Sequence, residues 1–168
     1  VDPIMIGADY FAQDPRADKL NLTVGIYQDG DGKTSVLQAV KMAETRLIET
    51  QTSKSYLALT GDAEYCRILG QEIVGTDHYD SFVAAQTAGG AVALRIMADL
   101  LAQMPDPPTV WLQTPTYGNY VPILTAAGAH FQSVPYYDPL ARAIMFDQML
   151  EGLNKAHSGD VFLMQGVC

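Results

Sequence analysis

Gln86-Thr87-Ala88-Gly89-Gly90-Ala91-Val92-Ala93-Leu94-Arg95 is a small-residue turn that runs straight into an apolar helical pattern. The chain changes character there. Ahead of it the sequence reads as a hairpin and helices with irregular connections. Behind it short apolar runs alternate with helical segments, the pattern of an α/β fold whose mostly parallel sheet is built from βαβ units. Two adjacent glycines at a helix entry let backbone N–H groups approach a ligand closely, and the helix N-terminus adds partial positive charge. Together these suit an anion, most often a phosphate. The same pair also serves as a packing device that lets a helix sit close on its sheet.

Working outward, Ser81 to Gln86 is an apolar run that predicts a strand feeding the turn, and Ala91 to Ala102 predicts the helix behind it, broken by Pro105, Pro107 and Pro108. Thr109 to Gln113 predicts a buried strand. It ends at Thr114-Pro115-Thr116-Tyr117-Gly118-Asn119, a turn at a carboxyl strand end, where open α/β sheets bind ligands. Tyr117 can stack there on a flat cofactor or simply pack the turn. Tyr120 to Ala127 predicts a short helix closed by Gly128, Ala129 to Tyr137 a strand, Phe146 to Ala156 a helix and Asp160 to Gln165 a last strand.

Toward the N-terminus, Asp62 to Gly75 and the stretch from Ser35 to about Glu49 carry helical periodicity, with Ser35 a suitable cap. Lys54 to Gly61 between them predicts an exposed connection containing Tyr56, a packing residue or a ligand contact. Lys19 to Gln28 is rich in strand formers and ends at the turn Asp29-Gly30-Asp31-Gly32, while Gly25 within it suggests a bulge or a close approach to the backbone. Val1 to Asp18 predicts an arm in which Pro3 and Pro15 limit helix.

The 168 residues suffice for one domain, and 48% hydrophobic content can build a core. A net charge of −9, with ten scattered Lys and Arg, argues against nucleic acid as partner. No apolar run approaches a membrane span, and Val1-Asp2-Pro3 does not open a signal peptide, so a cytoplasmic protein is expected. Cys66 and Cys168 suggest reduced thiols, and His78, His130 and His157 lack metal-ligand spacing. The end at Met164 to Cys168, directly after a strand pattern, is expected to be a cut rather than a finish, because a parallel strand ordinarily continues into a covering helix.

Along nearly its whole length the chain resembles the aspartate and aromatic aminotransferases, pyridoxal-phosphate enzymes of fold type I. The blocks that carry the resemblance follow in the family's order. They are Asp2-Pro3-Ile4 with Asp14-Pro15-Arg16 and Lys19-Leu20-Asn21-Leu22; Val24-Gly25-Ile26-Tyr27 with Gly32-Lys33-Thr34; Lys54-Ser55-Tyr56-Leu57 through Gly61; Gln86-Thr87-Ala88-Gly89-Gly90 with Ala93-Leu94-Arg95; and Val110-Trp111 with Pro115-Thr116-Tyr117-Gly118-Asn119. Tyr136-Tyr137-Asp138, Phe146-Asp147 and Gly159-Asp160-Val161 complete the set. The resemblance implies a partial large domain over residues 35–168, and an arm and small-domain segment over residues 1–34.

By the same resemblance, Gly89, Gly90 and Ala91 hold the cofactor phosphate and Tyr117 stacks on its ring. Tyr56 reaches the phosphate of the other subunit's cofactor, which implies a homodimer. Val24 and Gly25 line the substrate carboxylate pocket, and Ile4 and Met5 close over the substrate, an amino acid or 2-oxo acid. Ala91 departs from the family, which commonly has a hydroxyl residue there, and Tyr117 stands where tryptophan is more usual. In the family an Asn-Pro-Thr-Gly loop, the ring-nitrogen aspartate, the Schiff-base lysine and the substrate-carboxylate arginines all come after the equivalent of Cys168. No lysine here (Lys19, Lys33, Lys41, Lys54, Lys155) matches the catalytic position, so these residues alone are expected to be inactive. The alternative is a non-catalytic truncated relative that binds a phosphate ligand or a partner. A dinucleotide site is disfavoured, because Gly89-Gly90-Ala91 lacks its three spaced glycines.

Overall fold

The computed structural model describes residues 3–23 and 25–165. The backbone divides into two compact units, residues 1–55 and 56–168.

In the first unit, helix α1 (Pro3–Gln13) corrects the expectation of an irregular arm. Proline at the first helical position loses no hydrogen bond and brings a ready-made φ, so Pro3 starts a helix rather than preventing one. Lys19 to Gln28 forms no strand among its described residues. A strand needs a ladder partner, and the chain beyond the turn goes on to helix α2 (Gln38–Thr50) without offering one. The turn itself is present: Gly32 donates to the Asp29 carbonyl at 2.9 Å, and the Asp29 carboxylate accepts from Asp31 N, Lys33 N and Ser35 Oγ. That last bond takes Ser35 away from capping α2, which starts after Leu37 with no side-chain cap. No residue of α2 is buried.

In the second unit, helix α3 (Ala63–Val74) is capped by Asp62, whose carboxylate accepts from Tyr65 N at 2.8 Å. After it come a single 3-10 turn (Tyr79–Ser81), helix α4 (Gly90–Ala102), strand β1 (Val110–Thr114), helix α5 (Tyr120–Ala127) and strand β2 (Phe131–Pro135). Gly128 ends α5 in the left-handed conformation, φ 72°, as its type predicts. A short antiparallel pair follows, β3 (Tyr137–Asp138) with β4 (Ala143–Ile144), then helix α6 (Phe146–Leu153) and strand β5 (Val161–Leu163). Ser81 to Gln86 does not join the sheet. Its end pairs elsewhere, Gln86 N–H donating to the Thr60 carbonyl at 2.9 Å.

The sheet is parallel, in the order β2-β1-β5, with Val110 opposite both Phe131 and Val161. Alternation along β1 divides the core between its two faces. Val110 and Leu112 pack with Ala98 of α4 and Leu124 of α5 on one face. Trp111 packs with Val134 and with Met149 of α6 on the other. The chain leaves β1 for β2 on one side, then crosses to β5 on the other. The carboxyl ends of β1 and β5 therefore flank a reversal of strand order, where α/β sheets open a crevice.

Asp160 ties the opposite, amino edge together. Its carboxylate accepts from Thr109 N, Trp111 Nε1 and His157 N, each at 2.9 Å. The Trp111 indole N–H, then the His157 and Thr109 amides, hold the carboxyl below its ordinary value of 3.8. A carboxylate depressed in the folded state stabilises fully above its unfolded pKa and loses that contribution as pH falls through the folded one. Asp160→Asn, which turns an acceptor into a donor facing N–H groups, is expected to lower the urea midpoint at pH 7. It is also expected to flatten the fall in midpoint below about pH 4. Parallel acid limbs in variant and parent would show that this carboxylate is not the group responsible.

Candidate functional site

Helix α4 and strand β1 place the two strongest candidates. Ala98, Leu101 and Ala102 of α4 pack beside Val110 and Leu112, and a short connection leads from Ala102 to β1. Leu94, near the start of α4, lines the same small apolar gap as Tyr120, at the start of α5, and Leu163, at the end of β5. Helix α4 thus runs antiparallel to β1, and its N-terminus, like the turn after β1, faces the carboxyl edge. Gly89, Gly90 and Ala91 share that edge with Tyr117.

Gly89 precedes the helix at φ 91° and ψ 168°, a region essentially reserved for glycine. The first intrahelical bond runs from Ala93 N to the Gly89 carbonyl at 3.2 Å. The amides of Gly90, Ala91 and Val92 come before it and have no intrahelical acceptor, and no side chain caps the end. A Cβ built on Gly89 or Gly90 would meet no heavy atom of the described residues within 4 Å. Among the described residues, nothing sits close enough for the glycine pair to serve as a packing device. Open space in front of free N–H groups at a helix N-terminus fits a phosphate.

Tyr117 lies half exposed in the loop after β1. Its ring meets Tyr120 edge-on, with centroids 5.4 Å apart and planes at 79°, and its hydroxyl accepts from Asn119 Nδ2 at 2.9 Å. A T-shaped contact with Tyr120 leaves at least one face of the Tyr117 ring uncommitted to that partner. Beneath the loop, buried Gln113 accepts from Gln165 N at 3.1 Å, tying the chain after β5 to the end of β1.

Tyr56 is fully exposed in an irregular segment. The turn after it, closed by Gly61 N donating to the Ala58 carbonyl at 2.8 Å, is fastened to Gln86. Gln86 N donates to the Thr60 carbonyl, and Asp62 N donates to Gln86 Oε1, both at 2.9 Å. These contacts were not foreseen; the one signal for them was Gly61 directly before the capping Asp62. In the first unit, Gly25 lies in an exposed irregular segment where, among the described residues, it joins no strand and a Cβ would meet nothing within 4 Å, so they show neither the expected bulge nor a close approach. Val24 lies outside the described residues, and Ile4 and Met5 fall in the first turn of α1. Among the described residues no His, Cys, Asp and Glu cluster could hold a metal ion. No helix among them is long and apolar enough to cross a membrane.

A profile of the family described as aminotransferase class I and II matches residues 17–168. The chain is 38% identical over 171 residues to an aspartate aminotransferase of Escherichia coli (strain K12), covering 99% of this chain and 43% of that protein. It is 40% identical over 169 residues to a tyrosine aminotransferase of Rhizobium meliloti (strain 1021), with the same coverage. Its backbone superposes with a TM-score of 0.84, at 33% identity, on an aromatic-amino-acid aminotransferase from Burkholderia pseudomallei covalently bound to pyridoxal phosphate, covering 96% of this chain and 42% of that one. The chain thus spans under half the length of the relatives it matches.

Proposed function

Because the chain belongs to the class I and II aminotransferases, we propose that it forms the N-terminal part of a pyridoxal-phosphate aminotransferase that moves an amino group between an amino acid, aspartate or aromatic, and a 2-oxo acid. The observation that carries this is the uncapped, unobstructed glycine entry of α4 at the same sheet edge as Tyr117, beside the reversal of strand order.

In this reading the backbone N–H groups of Gly89, Gly90 and Ala91 bind the cofactor phosphate, with one hydrogen bond fewer than a hydroxyl residue at position 91 would allow. Tyr117 offers a ring face to the pyridine. When bound, pyridoxal phosphate supplies an electron sink for the bond broken at the substrate Cα. Tyr56, free of its own unit, projects toward the cofactor phosphate of a second subunit in a cytoplasmic homodimer. Val24, Gly25, Ile4 and Met5 belong to the substrate side. Residues 1–34 serve as arm and small-domain segment, and residues 35–168 as part of the cofactor-binding domain.

The same geometry supports inactivity of these residues alone. Lys155 is the one lysine in residues 56–168, and it follows α6 at the amino edge, on the way to Asp160 and the start of β5. No amine of this unit stands at the carboxyl edge to take up or return the substrate proton.

Titration of the chain with pyridoxal phosphate, followed by the absorbance of the cofactor and the fluorescence of Trp111, is expected to show weak saturable binding. Borohydride should trap no defined lysine adduct. No saturable binding would overturn the phosphate assignment, and a stable adduct at one lysine would overturn the inactivity.

A further inference from the structure

Gln86 stands three residues before Gly89, and its backbone and side chain both grip the turn that follows Tyr56. The grip is close. Gly61 sits at φ 87°, and a Cβ there would clash with Gln86 Cβ and come within 3.3 Å of its Cα. On one side of this contact, Gly61 N closes the turn onto Ala58, two residues from Tyr56. On the other, Thr87 Oγ1 donates to the Gly89 carbonyl at 3.1 Å, which carries the connection to the cap of α4. Cys66 Sγ, buried in α3, adds a donor to the Thr60 carbonyl at 3.6 Å.

We propose that Gln86 is a positioning residue that clasps the Tyr56 loop to the glycine turn, so that phosphate held at Gly89–Gly90 orders the segment presenting Tyr56. This rests on the roles proposed above for Gly89, Gly90 and Tyr56. A side-chain carbonyl spanning 24 positions to accept from Asp62 N is a specific device, because that amide also begins the capped turn of α3. Without the acceptor, the Asp62 amide keeps only water as partner, and the bond from Gln86 N to the Thr60 carbonyl is left as the loop's link to the turn.

The test is amide hydrogen exchange resolved by residue, on the chain alone and with saturating pyridoxal phosphate. The parent is compared with Gln86→Met, which keeps the shape and loses the acceptor, and with Gln86→Glu, which keeps an acceptor. Gly61→Ala serves as a second disruption that leaves Gln86 untouched. Without ligand, Gln86→Met and Gly61→Ala are expected to speed exchange at Asp62 roughly three- to tenfold, with Gln86→Glu close to parent and the amides of β1 unchanged in all. With pyridoxal phosphate, protection at Gly90–Val92 is expected in every variant, while protection at Leu59–Asp62 is expected only in parent and Gln86→Glu. Unchanged Asp62 exchange in both disrupted variants, with Gly90–Val92 still protected, would overturn the clasp alone. Absence of protection at Gly90–Val92 in the parent would bring down the phosphate assignment and the coupling with it, while the ligand-free comparison would still report on the clasp.

Discussion

Leu112→Ala is expected to lower the free energy of unfolding by about 2–5 kcal/mol. Leu112 is 0% exposed and lies in the middle of the central strand, with Ser133 and Leu163 beside it in register. Its side chain points into the cluster of Ala98, Val110, Leu124 and Ala129, which joins α4 and α5 to the sheet. Removing three carbons there loses their transfer free energy and leaves a void, because the surrounding backbone is fixed by two parallel ladders and cannot collapse into it. The effect should reach the candidate site, since Tyr117 hangs from the end of the same strand and α4 carries Gly90. Urea denaturation is the measurement, with Leu140→Ala as reference. Leu140 is 94% exposed, and its truncation should change stability by no more than about 0.5 kcal/mol. Equal midpoints for the two variants would mean that β1 is not the centre of the folded core.

What could be read from the sequence follows the range over which each feature is determined. The turn at Gly89–Gly90, the helix after it, the strand at Val110 and the left-handed stop at Gly128 are local, each fixed by residues within one turn or one alternation. Their order also conveyed the parallel sheet. The two failed strands, Lys19 to Gln28 and Ser81 to Gln86, have strand-forming composition but no ladder partner among the described residues, and a partner is a non-local property. The strand expected over Ala129 to Tyr137 takes in Tyr137 of β3 and leaves β4 unforeseen, because two-residue strands leave no periodicity to detect. Asp160 and Gln86 act across 49 and 24 positions, and neither had a neighbour in sequence to announce it. Gly89, Gly90 and Tyr117 stood out as candidates because a helix directly follows the glycine pair and Tyr117 directly follows β1. What lies in front of the glycines is set by non-local packing, which no residue of the turn encodes.

Gly89→Ala is expected to weaken binding of pyridoxal phosphate, and of inorganic phosphate, by roughly tenfold to a hundredfold, about 1.4–2.8 kcal/mol of binding free energy. At φ 91° and ψ 168° an alanine methyl clashes with its own backbone even though no other described residue stands within 4 Å. Holding that conformation costs on the order of 1–3 kcal/mol, so the chain relaxes toward an ordinary φ. Relaxation rotates the peptide entering α4 and reorients the amide of Gly90 that follows it. Gly90→Ala separates this from a simple loss of room. Gly90 is already helical, its Cβ would also meet nothing, and alanine is the better helix former, so stability should hold or rise. Any loss of affinity in Gly90→Ala therefore measures occupation of the space in front of the helix, while the additional loss in Gly89→Ala measures the backbone conformation. Calorimetric titration beside thermal melts gives both quantities. Equal, undiminished affinity in the two variants would mean that the helix entry holds no phosphate, and the assignment of Gly89, Gly90 and Ala91 would fall. Loss confined to Gly89→Ala would instead place the anion on the amides without contact to the glycine carbons.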